Sequence, residues 1–290
     1  SQRIGIPGEV EEIEGFHYGL RFLRDVKLGR EVSVGERTAV IGGGNVALDA
    51  ARTAVRLGSR DVHVYYRRSR EEMPVSEVEY DQTIAEGVSV DFLVSPTRIV
   101  SHDWKTRGLE CVHMTLGEPD PGGRRRPIPV PGSEFFVDAD TVIAAVGQAP
   151  DLTFLPRDSV LERTRWETLV VDGNTLSTNV PGVFAGGDFV TGPGMVIDAI
   201  AGGRRSAMAI DKYLRGDSSR VAIYDRKADR VIEVEAEQRE IEETWKLQPR
   251  LEVPTVAAPL RRTCFAEIEL NYAAQEAELE AKRCLRCDLD

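Results

Sequence analysis

The stretch Thr38-Ala39-Val40-Ile41-Gly42-Gly43-Gly44-Asn45-Val46-Ala47-Leu48-Asp49 restricts this chain more than any other. An apolar run ends in three glycines and gives way to an alanine-rich segment, which reads as strand, tight turn and helix. Gly42, Gly44 and Ala47 fall at the G-x-G-x-x-G/A spacing that opens a dinucleotide-binding βαβ unit. In that pattern the first glycine makes the turn and the second lets the backbone approach a pyrophosphate. The third small residue lets helix and strand pack closely. Gly43, Asn45 and Val46 complete the turn, and the helix N-terminus offers unpaired N–H groups and a positive dipole end to phosphates. An isolated match also describes an ordinary glycine-rich turn. Here the required context is present, because a second apolar run, Asp61-Val62-His63-Val64-Tyr65-Tyr66, follows the helix.

The end of that second run selects the nucleotide. An Asp or Glu there would take the ribose 2′-hydroxyl of NAD. The sequence instead has Arg67-Arg68-Ser69-Arg70. A guanidinium fork suits the 2′-phosphate of NADP, and two adjacent forks suit it better. The competing reading is a solvated basic loop; the position of Arg67 and Arg68 at the strand end favours NADP.

Around this unit the order of elements is α/β. Phe16, Leu20, Leu23 and Lys27 fall on one helical face before Gly29, predicting a helix near 17–28. The fingerprint helix runs about 44–57, with Ala47, Ala50, Ala51 and Ala54 on its small side and Gly58 as cap. Met73-Pro74 breaks the chain, and Ser76 with Glu79 makes a capping box for a helix near 76–86 that Gly87 ends. Short β-like runs follow at 88–93, 97–101 and 109–116, then a polar turn over 119–131. Its Arg124-Arg125-Arg126 reads as a solvated hairpin tip rather than a phosphate contact. A strand over 139–146 leads to Gly147-Gln148, and a short strand is expected at 168–171. Residues 183–188 repeat the logic of strand into glycine turn, followed by a helix over about 195–214 that Gly216 stops. The start of that helix leaves exposed N–H groups near Asp188, a seat for a polar or anionic ligand edge. Beyond 217 the composition changes: 230–244 is strongly acidic, which predicts a solvated, partly helical extension, and 271–282 reads as a helix.

Bulk properties narrow the partners. A net charge of −11 argues against nucleic acid and anionic membrane. No apolar run approaches the roughly 20 residues of a membrane helix. Ser1-Gln2-Arg3-Ile4 lacks the apolar core of a signal peptide, and four cysteines in 290 residues make no disulfide framework, so cytoplasm is the default. His17, His63, His102 and His113 show no metal spacing. Cys284 and Cys287 form a C-x-x-C pair, half of a four-ligand site, with Cys264 as a candidate third ligand. A cluster remnant, a zinc half-site, a redox pair and two idle thiols all fit that spacing.

Three separated segments point the same way: GGGNVALDAARTAVRLGSRDVHVYYRRSREEMP, AVGQAP and VFAGGDFVTGPGMVIDAIAGGRRSA. In order and spacing, over roughly residues 1–216, they resemble the FAD- and NADPH-binding flavoprotein family of the glutamate synthase small subunit, which is pyridine nucleotide-disulfide oxidoreductase-like. The C-terminal EAKRCLRCD resembles a segment seen there beside iron–sulphur cysteines. The resemblance implies an α/β fold: a Rossmann-like NAD(P)-binding domain, parallel sheet plus β-meander, inserted in an FAD-binding domain. It implies NADP(H) and FAD as cofactors, with hydride passing to flavin N5 and electrons leaving through iron–sulphur clusters of a partner subunit or domain. A 4Fe-4S cluster at Cys284 and Cys287 is one reading of the tail. By the same resemblance, the turn at 42–47 holds the NADP pyrophosphate, and Arg67 and Arg68 hold its 2′-phosphate. Gly187 and Asp188 face the FAD ribityl chain, Gly194, Met195 and Val196 face the flavin pyrimidine edge, and Gly147 and Gln148 lie at the crossover between domains.

The implied organisation is 1–35, a remnant of the FAD domain with a crossover helix; 36–146, the NADP(H)-binding domain; 147–216, the C-terminal part of the FAD domain; and 217–290, an acidic extension with the C-x-x-C tail. One departure is large. The family's FAD domain begins with its own G-x-G-x-x-G strand and helix, and nothing before residue 38 can be that unit. The expectation is therefore a fragment, or one piece of a split flavoprotein, with half of the FAD site absent. The alternative to an electron-transfer module is a catalytically silent NADP-binding fragment. Disulfide reductases of the thioredoxin reductase branch carry a redox C-x-x-C in the NADP domain. Here that region has only Cys111, read as a buried, inert thiol, which argues against dithiol–disulfide chemistry.

Overall fold

The computed structural model of the chain describes residues 2–119, 123–156, 158–217 and 249–282. It divides into two compact units, Ser1–Gln148 with Thr255–Glu269, and Ala149–Pro254 with Leu270–Asp290.

The first unit contains β1 (Phe16–Tyr18), α1 (Gly19–Lys27), β2 (Arg37–Ile41), α2 (Asn45–Arg56), β3 (Asp61–Tyr66), α3 (Glu77–Ala85), β4 (Ser89–Phe92), β5 (Val94–His102), β6 (Lys105–Pro119), β7 (Arg125–Asp138) and β8 (Thr141–Ala144). The short strands form a parallel sheet in the order β1-β8-β2-β3-β4, and the long ones form an antiparallel sheet, β5-β6-β7. Side chains alternate across a strand, so a sheet covered on both faces needs continuous apolar runs. Val40, Val62, Val64 and Ile143 pack with Phe22 and with Ala47, Ala50, Ala51 and Ala54 of α2. Ala39, Ile41, Tyr65, Val142 and Ala144 turn the other way, onto Ile99, Leu109 and Cys111. The four alanines of α2 are fully buried, as the small-sided helix predicts. Methyl-sized side chains bring the helix close to the sheet; adding methylenes there would overpack by about 1–3 kcal/mol.

The N-terminal helix is shorter than its periodicity predicts. Phe16 and Tyr18 pair with Val142 and Ala144 instead, because β8 has an edge that β1 closes. Gly19 and Phe22 are the buried residues of α1, whereas Leu20 is exposed. The polar turn expected over 119–131 is also narrower, since β6 runs to Pro119 and β7 starts at Arg125. Pro127 and Pro129 are tolerated because β7 is an edge strand bonded to β6 alone.

The second unit holds α4 (Asp188–Thr191) and α5 (Val196–Leu214). Gly216, at φ +73°, follows α5 as the expected stop. The strands expected at 168–171 and 183–188 are only isolated bridges, Arg163 to Leu169 and Ser177 to Phe184. Local side-chain bonds compete with a ladder there: the Asp172 carboxylate accepts from the N–H groups of Asn174 and Thr175 at 2.9 and 2.8 Å. A small core joins Leu176 and Ala209 to Val171 and Phe184.

Residues 255–269, expected to belong to a solvated extension, are part of the first unit. Their short helix Ala258–Arg261 buries Arg261 near the carboxylate of Glu86. In the second unit the helix Ala274–Ala281 falls within the expected 271–282. The acidic stretch 230–244 and both Cys284 and Cys287 lie outside the described residues. Among the described residues no helix is long and apolar enough to cross a membrane.

Candidate dinucleotide-binding site

The three glycines after β2 sit in three different surroundings. Gly42 has φ +144°, and a Cβ on it would stand 2.3 Å from the carbonyl oxygen of Ala145. A Cβ on Gly43 would stand 2.3 Å from a ring carbon of Tyr66. That ring is held in place, since the Tyr66 hydroxyl donates to the Glu72 carbonyl at 2.8 Å. Gly44 has an ordinary φ of −99°, and a Cβ there would meet nothing within 4 Å. Neither backbone conformation nor packing within the chain requires Gly44 to lack a side chain.

Gly44 is the N-cap of α2 and supplies no side-chain cap, and the first turn carries no acidic residue. The Ala47 and Leu48 N–H groups return to the Gly44 carbonyl at 2.8 and 3.3 Å. Those of Asn45 and Val46 have no intrahelical acceptor, as in any first helical turn. The result is an uncapped positive dipole end behind an open backbone surface, which suits an anion.

β3 lies beside β2 in parallel, with Ile41 opposite Tyr65, so the chain leaves β3 next to the glycine turn. Arg67 is exposed and, among the described residues, has no hydrogen-bond or ion-pair partner. Partial burial, then the like charges of Arg68 and Arg124, push its guanidinium below the usual range. Arg68 Nε donates to the Arg125 carbonyl at 2.9 Å. Arg70 pairs with Glu77 at 2.8 Å and lies over the Tyr80 ring.

The Arg124-Arg125-Arg126 stretch lies at the hairpin tip expected from sequence, with Arg124 and Arg126 exposed, but Arg125 is tied down. Arg125 Nη2 reaches Glu71 at 2.6 Å, and its Nε bonds the carboxylate of Glu72. Glu72 in turn accepts from the Ser69 backbone N–H at 3.2 Å and from its hydroxyl. The Ser69 hydroxyl bond, with Arg125 beside it, holds the Glu72 carboxyl below the usual carboxylate range. A long hairpin thus folds back onto the loop that carries Arg67 and Arg68.

Gly147 and Gln148 end the first stretch of the first unit, where the Gln2 N–H donates to the Gly147 carbonyl at 3.0 Å. In the second unit a Cβ on Gly186 would meet Ser206 Oγ at 2.4 Å, and one on Gly202 would meet the Gly187 nitrogen at 2.5 Å. The turn therefore lies directly on α5, with Gly187 at φ +62°. Asp188 is exposed at its end. A Cβ on Gly194 would have no neighbour closer than 3.7 Å, and Met195 and Val196 are 70% and 77% exposed at the uncapped start of α5.

Cys111 is fully buried on β6, and burial pushes its thiol up to about 12. Cys264 donates its thiol to the Leu260 carbonyl at 3.3 Å. Among the described residues no group of three His, Cys, Asp or Glu side chains could hold a metal ion. One buried cluster lies outside what the sequence predicts. Glu86, with no exposed side-chain surface, faces Arg52 at 2.7 Å, Arg56 at 2.8 Å and Arg261 at 3.8 Å. Arg52 and Arg56 share a face of α2 at i, i+4, which is a readable signal; Arg261 is too distant in sequence to be one.

The family model described as pyridine nucleotide-disulphide oxidoreductase matches residues 1–203. The chain is 46% identical over 290 residues to the NADP(+)-dependent formate dehydrogenase subunit beta of Moorella thermoacetica, covering 99% of this chain and 41% of that protein. It is 41% identical over 184 residues to the glutamate synthase [NADPH] small chain of Azospirillum brasilense, covering 63% of this chain and 38% of that one. The chain thus spans less than half the length of these relatives. In fold it is similar to the thioredoxin reductase of T. acidophilum, with TM-score 0.54 and 23% identity over 74% of this chain and 62% of that chain. The chain belongs to the pyridine nucleotide-disulphide oxidoreductase family.

Proposed function

We propose that this chain is the NADPH-oxidising module of a flavoprotein oxidoreductase that feeds electrons to an iron–sulphur partner. In this reading 36–146 is the NADP(H)-binding domain, set between 1–35 and 147–216 of an FAD-binding domain. The observation that carries the reading is Gly44. Its conformation is open to any residue and its Cβ direction is empty among the described residues, which leaves the backbone there bare for a group from outside the chain. A pyrophosphate seated on the uncapped start of α2 is that group. The relatives named for NADP(+) and NADPH support the same choice of nucleotide.

The roles of the residues follow from their chemistry. The Asn45 and Val46 N–H groups donate to the pyrophosphate, while Gly42 and Gly43 keep the turn tight and Ala47 keeps α2 close to the sheet. Arg67 and Arg68 grip the 2′-phosphate. Asp188 accepts from a ribityl hydroxyl of FAD, beside the Gly187 turn. The backbone at Gly194, Met195 and Val196 faces the flavin pyrimidine edge, where the dipole of α5 favours negative charge. With both bound, NADPH would supply the hydride and FAD the capacity to take up a hydride and release single electrons. No side-chain nucleophile is needed, so the protein's work is to position two rings and set the charge around them. Gly147 and Gln148 mark the crossover, and Cys284 and Cys287 are candidate ligands toward the iron–sulphur partner.

Anaerobic titration of the flavin-loaded protein with NADPH tests this. The expected result is bleaching of the flavin absorbance by NADPH at concentrations where NADH has little effect. A protein that binds NADP(H) but carries no reducible flavin would instead be a silent nucleotide-binding module.

A further inference from the structure

The three arginines at the β6–β7 tip are conspicuous in sequence, and the roles above do not use them. Their placement is specific. The Arg125 carbonyl accepts from Arg68 Nε at 2.9 Å, which fixes the hairpin backbone against one of the two phosphate-gripping arginines. The Arg125 side chain reaches the other way, to Glu71 at 2.6 Å and to Glu72. Glu72 is nearly buried and is fixed further by Ser69 and by the turn Arg70–Glu72. One guanidinium therefore engages both carboxylates of the loop. Without it, two negative charges would stand beside the place where a dianionic phosphate must bind. Arg124 is exposed and directly precedes Arg125, the residue whose carbonyl Arg68 holds. The like-charge effect of Arg124 on Arg67 is what such a grouping produces.

We propose that the β6–β7 tip is part of the NADP selectivity site: Arg124 is a third cation for the 2′-phosphate, and Arg125 is the positioning residue that delivers it and masks Glu71 and Glu72. This rests on the assignment of Arg67 and Arg68 to that phosphate. A planar guanidinium from a separate hairpin adds a donor direction that two neighbours on one loop cannot reach. It also makes the preference for NADP depend on a segment more than fifty residues away from the strand end that signals it.

The test is calorimetric titration of the full chain with 2′,5′-ADP and with 5′-ADP, which differ only in the phosphate at issue. Arg124→Ala is expected to weaken 2′,5′-ADP by about tenfold, the effect of one charge-assisted hydrogen bond, with 5′-ADP within about twofold. Arg125→Ala is expected to weaken 2′,5′-ADP too, and in the Arg124→Ala background to keep only the part that comes from unmasking Glu71 and Glu72, so the two losses fall short of adding. A merely structural role for Arg125 would lower both ligands alike, leaving the preference for 2′,5′-ADP unchanged. Arg124→Ala leaves the clasp intact, so it remains a valid test if Arg125→Ala does not fold. If Arg124→Ala binds 2′,5′-ADP as the parent does while Arg67→Ala with Arg68→Ala loses it, the hairpin's role is overturned and the cofactor assignment stands. If the parent chain shows no preference for 2′,5′-ADP, both are overturned.

Discussion

Gly43→Ala and Gly44→Ala, adjacent substitutions of one hydrogen by one methyl, are expected to fail in opposite ways. At Gly43 the new Cβ would stand 2.3 Å from the Tyr66 ring, against an ordinary carbon–carbon contact of roughly 3.5–4.0 Å. The ring is tied to the Glu72 carbonyl and cannot simply swing aside. Overpacking of this size costs about 1–3 kcal/mol. For a chain of this length that is a fall of roughly 2–12 °C in Tm. At Gly44 the methyl meets nothing, and φ −99° suits alanine. Lower unfolded-state freedom stabilises Gly44→Ala by about 0.4–1 kcal/mol, and loss of a favourable N-cap offsets a similar amount. Its Tm should stay within about 4 °C of the parent. Binding reverses the order. A methyl at the closest approach of backbone and pyrophosphate breaks at least one charge-assisted hydrogen bond, about 1.5–3 kcal/mol, or roughly a ten- to 150-fold rise in the Kd for NADPH. Thermal melts and NADPH fluorescence titrations of the two variants read both quantities. A Gly44→Ala protein that binds NADPH within twofold of the parent would refute the reasoning.

Replacing Arg67 and Arg68 together by alanine should weaken NADPH by at least about tenfold and leave NADH little changed; equal losses for both, in parallel titrations, would reject the 2′-phosphate assignment. Glu86→Gln leaves Arg52, Arg56 and Arg261 around a neutral group in a buried site, so urea unfolding should give a loss of about 3–5 kcal/mol; an unchanged midpoint would mean that the cluster is solvated. Cys111 binds its proton more tightly folded than unfolded, because burial raises its thiol to about 12. Its contribution to stability is therefore complete below the unfolded thiol's range and is lost as pH rises toward 12. Thiol reagents at pH 8 should leave Cys111 unmodified in the folded protein and label it in urea, and equal labelling would contradict its burial.

What can be read from the residues is mostly local. The alanine face of α2 follows from one period, and the capping box expected at Ser76 is a three-residue signal of which the structure forms the N-cap half, with the Glu79 N–H donating to Ser76 Oγ at 3.2 Å. The glycine turn is legible because strand, turn and helix are contiguous. Periodicity misplaces Phe16 on a helix because a single apolar residue fits either period, and its pairing with Val142 is decided by a strand 126 positions later in the register of the sheet. The back-folded hairpin is hidden for the same reason: Arg125 and Glu72 are separated by 53 residues, and charge alone makes a basic tip look solvated. Likewise nothing local announces that Arg56 donates to the Cys264 carbonyl, 208 residues on. Side chains that hold distant segments together are where sequence expectations fall short, and the Arg125 clasp is the one that reaches the loop carrying Arg67 and Arg68.

The central claim is that the turn at 42–47 seats a pyrophosphate and the arginines after β3 seat a 2′-phosphate. A crystal structure with NADP+ bound measures this directly. The account predicts pyrophosphate oxygens within about 2.7–3.2 Å of the Asn45 and Val46 nitrogens, over the bare face of Gly44, with the 2′-phosphate between Arg67 and Arg68. A nucleotide bound elsewhere, or one whose 2′-phosphate points into solvent away from both guanidinium groups, would contradict it.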